Sequence, residues 1–239
     1  MIGLVQRPRI FSLAELRSMP HETQRLTLVC AASPLNARQW ETRDWAGVPF
    51  LALLEATGVV LEARSVQAAG YDGAVRGYIL DELRHALLAF EADGRALSAA
   101  QGYPARLLIP GRSACEMPRF VQRIAFRADE AAPFDALTPF AVIERVLPMA
   151  DGARLEGLAL GTDSVAVRLD DGPAVVVTLS GQADGVAGRW SLDWPGANAA
   201  RARFSAEAMP LVPSPEARPL ARRWRARRAS WTPGRNPEP

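Results

Sequence analysis

The sequence predicts an α+β domain followed by a small all-β domain. In residues 1–128, short strand-like and helix-like segments follow one another without strict alternation, which argues against a doubly wound parallel sheet. Residues 129–139 are rich in Ala, Asp and Pro and indicate a linker. In residues 140–209, short apolar runs alternate with Asp-Gly and similar turns, a pattern typical of a β-sandwich. Residues 210–239 are dominated by Pro, Ser and Arg and are expected to form an extended tail.

Capping and turn signals delimit the elements of the first domain. Ser12, with Glu15 three residues later, predicts a short capped helix. A strand is expected over residues 25–30, and a helix over residues 45–57 that ends at Gly58. The remaining expected elements are strands at 59–69, 78–80, 87–91, 105–109 and 120–126, and a helix at 82–87.

The sequence of the second domain predicts short strands at regular intervals. Its length of about 70 residues is short for seven full strands, so a trimmed sandwich is expected. The expected strands are 141–146, 155–160, 164–169, 174–179, 188–194 and 200–206.

Composition excludes several classes of protein. The chain has 239 residues, 49% of them hydrophobic, and no apolar run approaches the ~18 residues of a membrane span. All 28 basic residues are Arg, which excludes a mechanism that needs a lysine amine. Two Cys and two His, without Cys-x-x-Cys, argue against a disulfide framework and a structural zinc site. The start, MIGLVQRPRIF, carries no export signal, which as written indicates the cytoplasm; a start further upstream would be compatible with the periplasm.

Two residues are candidates for chemistry on their own. Cys30 ends a predicted buried strand, where a thiolate could bind a soft metal or act as a nucleophile, although a free cysteine more often only fills space there. Arg106 interrupts an apolar strand, so it could bind a phosphate or carboxylate, or form a structural ion pair. The arginines of the tail could contact nucleic acid, but no nucleic-acid-binding fold accompanies them, and a solvated end is favoured.

Several segments of the first domain follow one another in a specific order. After GLVQRPRIFSLAELRSMP come LTLVCAAS, WAGVPFLALLEATGV, GYDGAVRGYIL, LLAFEADGRALSAAQGYPARLLIPG and MPRFVQRI. This ordered set, from residue 3 to about residue 126, resembles the sulfite oxidase family of molybdopterin oxidoreductases. Residues 140–209 resemble, more loosely, the immunoglobulin-like domain that follows in many members.

The resemblance implies a sulfite-oxidase-type molybdopterin-binding fold with a molybdenum–molybdopterin cofactor. Cys30 would be the thiolate ligand of the molybdenum, and Arg106 would hold the pterin phosphate. Cys30 and Asp72, the latter at the edge of the active-site pocket, would be the catalytic residues. The further cofactor-binding positions implied are Gly70, Gln101, Met117, Pro118 and Arg119, the last in the position of a family lysine.

The function expected from the resemblance is oxygen-atom transfer on a small oxo-compound, sulfite-like or sulfoxide-like. The alternative is a cofactor-free relative that acts as a binding or scaffold protein, because the sequence departs from the family pattern. The serine and tyrosine of the family's S-x-D-G-Y turn are Gly70 and Ala74, and the family's His or Asn is Gln101. A family segment that also grips the pterin would precede Met1. The expected partners are a small-molecule substrate, a separate electron-transfer protein and a second copy of the chain, with no nucleic acid.

Overall fold

The computed structural model describes residues 1–30, 40–129, 131, 139–179 and 186–209, and the backbone of residues 228–231. They form two compact units, one within Met1–Cys30 and Glu41–Ala136 and the other within Leu137–Pro239 together with Trp40. The described part of the chain is mostly β, with two α-helices. Neither of these helices has the length and apolar character needed to cross a membrane.

The first unit contains nine strands, two α-helices and two short 3-10 helices in the described ranges. In chain order they are β1 (Ile2–Gly3), α1 (Leu13–Ser18), β2 (Glu22–Val29), β3 (Trp40–Pro49), α2 (Phe50–Thr57), β4 (Ser65–Gly70), β5 (Val75–Ile79), a 3-10 helix (Leu80–Leu83), β6 (Leu87–Ala92), β7 (Arg95–Ala96), β8 (Arg106–Leu108), a 3-10 helix (Ala114–Glu116) and β9 (Val121–Arg127).

These strands form two sheets. One has the order β1-β9-β4-β5, in which β4 is antiparallel to both neighbours and β1 is parallel to β9. The other has the order β2-β3-β6-β7, and β8 pairs with β6 on the side away from β3. The strand that ends next to Cys30 and the strand that begins at Arg106 therefore belong to one sheet.

The sheet that contains β6 is apolar on both faces. Leu88 and Phe90 of β6 point into the larger core, where α2 also places Phe50 and Leu53. The intervening residue Ala89 points into a smaller core. The further members of the smaller core are Leu26, Leu28, Trp45, Leu87, Ala92, Leu97, Leu108 and Met117. Arg106 pairs with Ala89 across the sheet, which places its side chain on the face of the smaller core.

The structure corrects the expected helix at residues 45–57. Residues 40–49 form β3, which pairs with β6, and the helix begins only at Phe50. A central strand that is buried on both faces lacks the polar alternation of a half-exposed strand, so an apolar run can be mistaken for helix. The end of the helix at Gly58 is as predicted, with φ +63°.

Other boundaries also differ. The capped helix is confirmed, since Ser12 and Glu15 form a reciprocal capping box at the start of α1. The strand expected at 59–69 begins only at Ser65, and the helix expected at 82–87 is a 3-10 helix over Leu80–Leu83. Both errors lie at element boundaries, where local propensity decides least.

The second unit contains seven strands among the described residues. They are β10 (Phe140–Met149), β11 (Gly152–Leu160), β12 (Ser164–Leu169), β13 (Val175–Thr178), β14 (Gly188–Pro195), β15 (Phe204–Ala208) and β16 (Arg228–Trp231). One sheet has the order β10-β11-β14 and the other β13-β12-β15-β16. A single apolar cluster that includes Leu155, Val167, Trp190 and Phe204 draws residues from both. The tail was expected to be only extended, but the backbone of β16 pairs antiparallel with β15.

Candidate cofactor site

Arg106 is a buried guanidinium without a carboxylate partner in the described residues. Its side chain is 6% exposed, and among the described residues its Nη2 donates a hydrogen bond of 3.4 Å to the Ala114 carbonyl. Its Nε–H has no acceptor within the described part of the chain. Burial lowers the pKa of Arg106 to about 10; the nearby Glu41 opposes this shift and Arg119 adds to it. Arg106 is thus still charged at neutral pH, and among the described residues no carboxylate forms an ion pair with it.

Cys30 lies directly after β2 and is half-buried. The hydroxyl of Ser113 donates a hydrogen bond of 3.2 Å to the carbonyl of Val29, the residue before the cysteine. The same hydroxyl lies 3.2 Å from Sγ of Cys115. One short segment, residues 113–116, therefore contacts both the end of β2 and, through the Ala114 carbonyl, Arg106. The loop that follows Cys30, residues 31–39, is outside the described residues.

Gln101 and Arg119 meet at a tight turn. The backbone N–H of Ser98 donates to Gln101 Oε1 at 2.9 Å, and Arg119 Nη1 donates to the Ala100 carbonyl at 3.2 Å. Gly102, with φ +104°, lies under the Arg119 side chain, and a Cβ at this position would be 2.8 Å from that of Arg119. Only glycine allows both this backbone conformation and this close approach.

The segment from Met117 to Phe120 runs beside β8. The Pro118 carbonyl accepts a hydrogen bond of 3.1 Å from the N–H of Leu107, next to Arg106. The Met117 side chain is buried in the smaller core. Phe120 has φ +53°, a strained value for a non-glycine residue, and its N–H donates to the Gly102 carbonyl. These contacts place Arg119 beside the turn that holds Gln101.

Gly70 is the last residue of β4, and Asp72 lies in the turn between β4 and β5. The exposed Asp72 accepts a hydrogen bond of 3.1 Å from the Ala74 N–H, so its carboxylate shapes the turn. A Cβ on Gly70 would collide with the Arg119 carbonyl oxygen, so the backbones of the two residues are in close contact. The structure therefore groups Gly70, Gln101, Met117, Pro118 and Arg119 around the segment 117–120.

Three buried or site-adjacent residues were not predicted from the sequence, namely Trp45, Ser113 and Arg112. Ser113 forms a capping box with Glu116, and the Ser-x-x-Glu spacing could have revealed it. Arg112 is 7% exposed and pairs with Glu82 at 2.5 Å, so it is a structural ion pair. Two buried arginines thus differ sharply, because Arg112 has a carboxylate partner and Arg106 has none in the described residues.

The side chains described above fit an anionic cofactor that already contains its metal ion. In the described residues, no three His, Cys, Asp or Glu side chains come together as a metal site built from protein ligands would require. One cysteine directly after β2, Cys30, is consistent with a metal that is already held by its cofactor. The buried charge of Arg106 fits an anionic group such as a phosphate. Fold and site together fit a domain that binds an anionic cofactor.

The chain belongs to the family described as the oxidoreductase molybdopterin binding domain, whose model matches residues 1–134. The predicted resemblance to molybdopterin oxidoreductases is confirmed. Membership in this family implies a molybdopterin cofactor.

Relatives include plant nitrate reductases. Inducible nitrate reductase (NADH) 2 of Glycine max is 27% identical over 159 residues, which are 54% of this chain and 18% of that protein. Nitrate reductase (NADH) 1 of Nicotiana tabacum is 26% identical over 159 residues, with the same coverage of 54% and 18%. The chain therefore spans only 18% of the length of these relatives.

A solved structure has a similar fold. The crystal structure of the sulfane dehydrogenase SoxCD from Paracoccus pantotrophus matches with a TM-score of 0.75 and 23% sequence identity. The match covers 88% of this chain and 66% of that chain. It therefore supports the fold beyond the residues that the family model covers.

Proposed function

We propose that the first unit holds molybdenum–molybdopterin with Cys30 as the thiolate ligand of the metal. We propose further that it catalyses oxygen-atom transfer on a small oxo-compound, sulfite-like or sulfoxide-like. The observation that carries the proposal is Arg106, a buried cation without a carboxylate in the described residues. Its contact with Ala114 links it to the segment that also binds the end of β2, next to Cys30.

The residues of the chain have separate roles in this proposal. When bound, the cofactor supplies a molybdenum centre that exchanges an oxygen atom and two electrons with the substrate. Arg106 would hold the pterin phosphate through its guanidinium hydrogen bonds, and Arg119 would add a second positive charge. The Oε1 atom of Gln101 is already bound to the Ser98 N–H, which leaves the Gln101 NH₂ group as a donor toward the cofactor.

The reaction requires an electron partner. Adding an oxygen atom from water to a sulfite-like substrate releases two protons and two electrons, and removing one from a sulfoxide consumes them. We propose that a separate electron-transfer protein exchanges these electrons. Asp72, which shapes the turn after β4, stays a predicted residue of the pocket edge.

Metal analysis tests the proposal. The wild type and the C30S and C115S variants are produced in a host that makes the molybdenum cofactor, and molybdenum is measured per chain. We expect about one molybdenum per chain in the wild type and in C115S, and its loss in C30S, because a serine hydroxyl is a poor ligand for a soft metal. A well-folded wild type that binds no molybdenum would contradict the proposal and favour the cofactor-free alternative.

We also propose that the second unit is an immunoglobulin-like β-sandwich. Its strand order supports this assignment, because the first, second and fifth strands form one sheet and the third, fourth, sixth and seventh form the other. Such a unit can serve as a dimer contact. Sedimentation of the intact chain tests that role, with a dimer expected and a monomer at all concentrations contradicting it.

A further inference from the structure

Trp45 lies beside Arg106 and, like it, has a buried N–H without an acceptor. The Trp45 side chain is completely buried, and its Nε1–H has no partner within the described part of the chain. The Arg106 guanidinium carbon lies 5.9 Å from the centre of the Trp45 ring. Two orphaned donors are therefore neighbours in one place.

The sheet brings these two side chains together. Trp45 of β3 pairs with Ala92 of β6, and Arg106 of β8 pairs with Ala89 of the same strand. Both alanines belong to the smaller core. The two donors therefore lie on the same face of the sheet, one on each side of β6. Met117, one of the predicted cofactor-binding residues, packs in the same core.

Packing alone does not account for this pair. A buried tryptophan N–H usually has a hydrogen-bond acceptor, and a buried guanidinium usually has an anion. Each orphaned donor lowers the stability of the fold, and placing Trp45 beside Arg106 adds a second unsatisfied N–H. An anionic group with several acceptor oxygens would satisfy both donors at once.

We propose that Trp45 is a cofactor-binding residue, whose indole N–H binds the phosphate of molybdopterin together with the Arg106 guanidinium. The proposal rests on the proposed function, because it requires that the cofactor binds in the first unit. It assigns Trp45 a hydrogen bond to the ligand in addition to its place in the core.

The Trp45→Phe variant tests the proposal, because it removes the N–H and keeps an aromatic ring. Trp190→Phe is a matched control: Trp190 lies in the second unit, is 4% exposed, and also has an Nε1–H without a partner in the described residues. Both variants and the wild type are produced in a cofactor-competent host. The pterin content per chain is measured by fluorescence after denaturation. The rate of pterin release is followed in the same way at timed intervals after dilution.

We expect W45F to release pterin at least about tenfold faster than the wild type, because it loses one hydrogen bond to a charged group. We expect W190F to release pterin at the rate of the wild type. Equal retention in W45F and W190F would overturn the inference and leave a buried water as the partner of Trp45. A wild type without pterin would instead overturn the proposed function itself.

The cofactor-free proteins give a second readout. W45F and W190F without cofactor are expected to melt within a few degrees of each other, because each loses one unsatisfied N–H and a similar volume. Inorganic phosphate is expected to raise the melting temperature of the cofactor-free wild type more than that of W45F. A W45F protein that melts far below W190F, with an equal response to phosphate, would show a purely structural role and overturn the inference.

Discussion

The hydroxyl of Ser113 donates a hydrogen bond of 3.2 Å to the carbonyl of Val29, across 84 residues of sequence. This contact joins the segment beside Arg106 to the end of the strand that precedes Cys30. Ser113 also caps the 3-10 helix over Ala114–Glu116. One side chain therefore positions both the predicted metal ligand and the carbonyl that binds Arg106.

We predict that Ser113→Ala lowers both stability and molybdenum content. The loss of the cap and of the bond to Val29 is expected to lower the free energy of unfolding by about 1–2 kcal/mol. The end of β2 would be held less firmly, so the molybdenum per chain should fall. Urea unfolding and metal analysis of the purified variant measure the two effects.

Ser12→Ala is the matched control, because Ser12 forms the same kind of capping box at α1. We expect it to lower the free energy of unfolding by about 1 kcal/mol and to keep the full molybdenum content. If the two variants lost molybdenum equally, the molybdenum content would depend on stability alone, and the predicted positioning role of Ser113 would be wrong.

We predict that replacing the two buried arginines has opposite effects on the cofactor-free protein. Arg106→Met removes a buried charge that has no carboxylate partner among the described residues, so the free energy of unfolding should stay equal or rise. Arg112→Met leaves Glu82 without its partner at 2.5 Å and should lower that free energy by about 2 kcal/mol or more. Denaturant unfolding of protein from a host without the cofactor provides the comparison. A loss for R106M as large as that for R112M would mean that Arg106 is part of a structural ion pair.

Part of this architecture follows from local sequence signals. The capping residues Ser12 and Glu15 fixed the first helix, and Gly58 marked the end of the second, because both signals act through nearest neighbours. The strand Trp40–Pro49 was mistaken in part for helix, since burial on both faces removes the alternation that identifies a strand.

The site could be predicted only in part for a related reason. Arg106 was a candidate because a charge within an apolar run stands out in the sequence. Two features of Arg106 depend on which strands flank β6: its Nε–H has no acceptor among the described residues, and its guanidinium lies near Trp45. No local signal encodes that strand order. The bond from Ser113 to Val29 is equally a product of tertiary structure.

We predict that Gly70→Ala destabilises the protein and that Gly77→Ala does not. A Cβ at Gly70 would collide with the Arg119 carbonyl oxygen, and the neighbouring backbone would have to shift, at about 1–3 kcal/mol. At Gly77, in the partner strand of the same hairpin, the nearest atom is the Cβ of Ala131 at 3.7 Å. Thermal or urea unfolding of both variants is the test, and equal stabilities would mean that Gly70 and Arg119 are not in close contact.

We predict a pH-dependent contribution from Asp93, whose carboxylate accepts hydrogen bonds from the Asp44 N–H at 3.0 Å and from Arg43 at 2.7 Å. The Asp44 N–H first, and then Arg43, hold the pKa of Asp93 below its ordinary value of 3.8. The folded state therefore binds fewer protons than the unfolded state in this range. The resulting stabilisation is complete above the ordinary pKa and is lost as the pH falls through the lowered folded pKa.

Asp93→Asn, which tolerates the local φ of +51°, should lower the urea midpoint at neutral pH but not at about pH 2. Asp129→Asn is the control, because among the described residues Asp129 pairs with Arg127, two residues away, and not with a separate strand. If D93N lowered the midpoint equally at both pH values, a loss of packing rather than of the charged contact would be the cause.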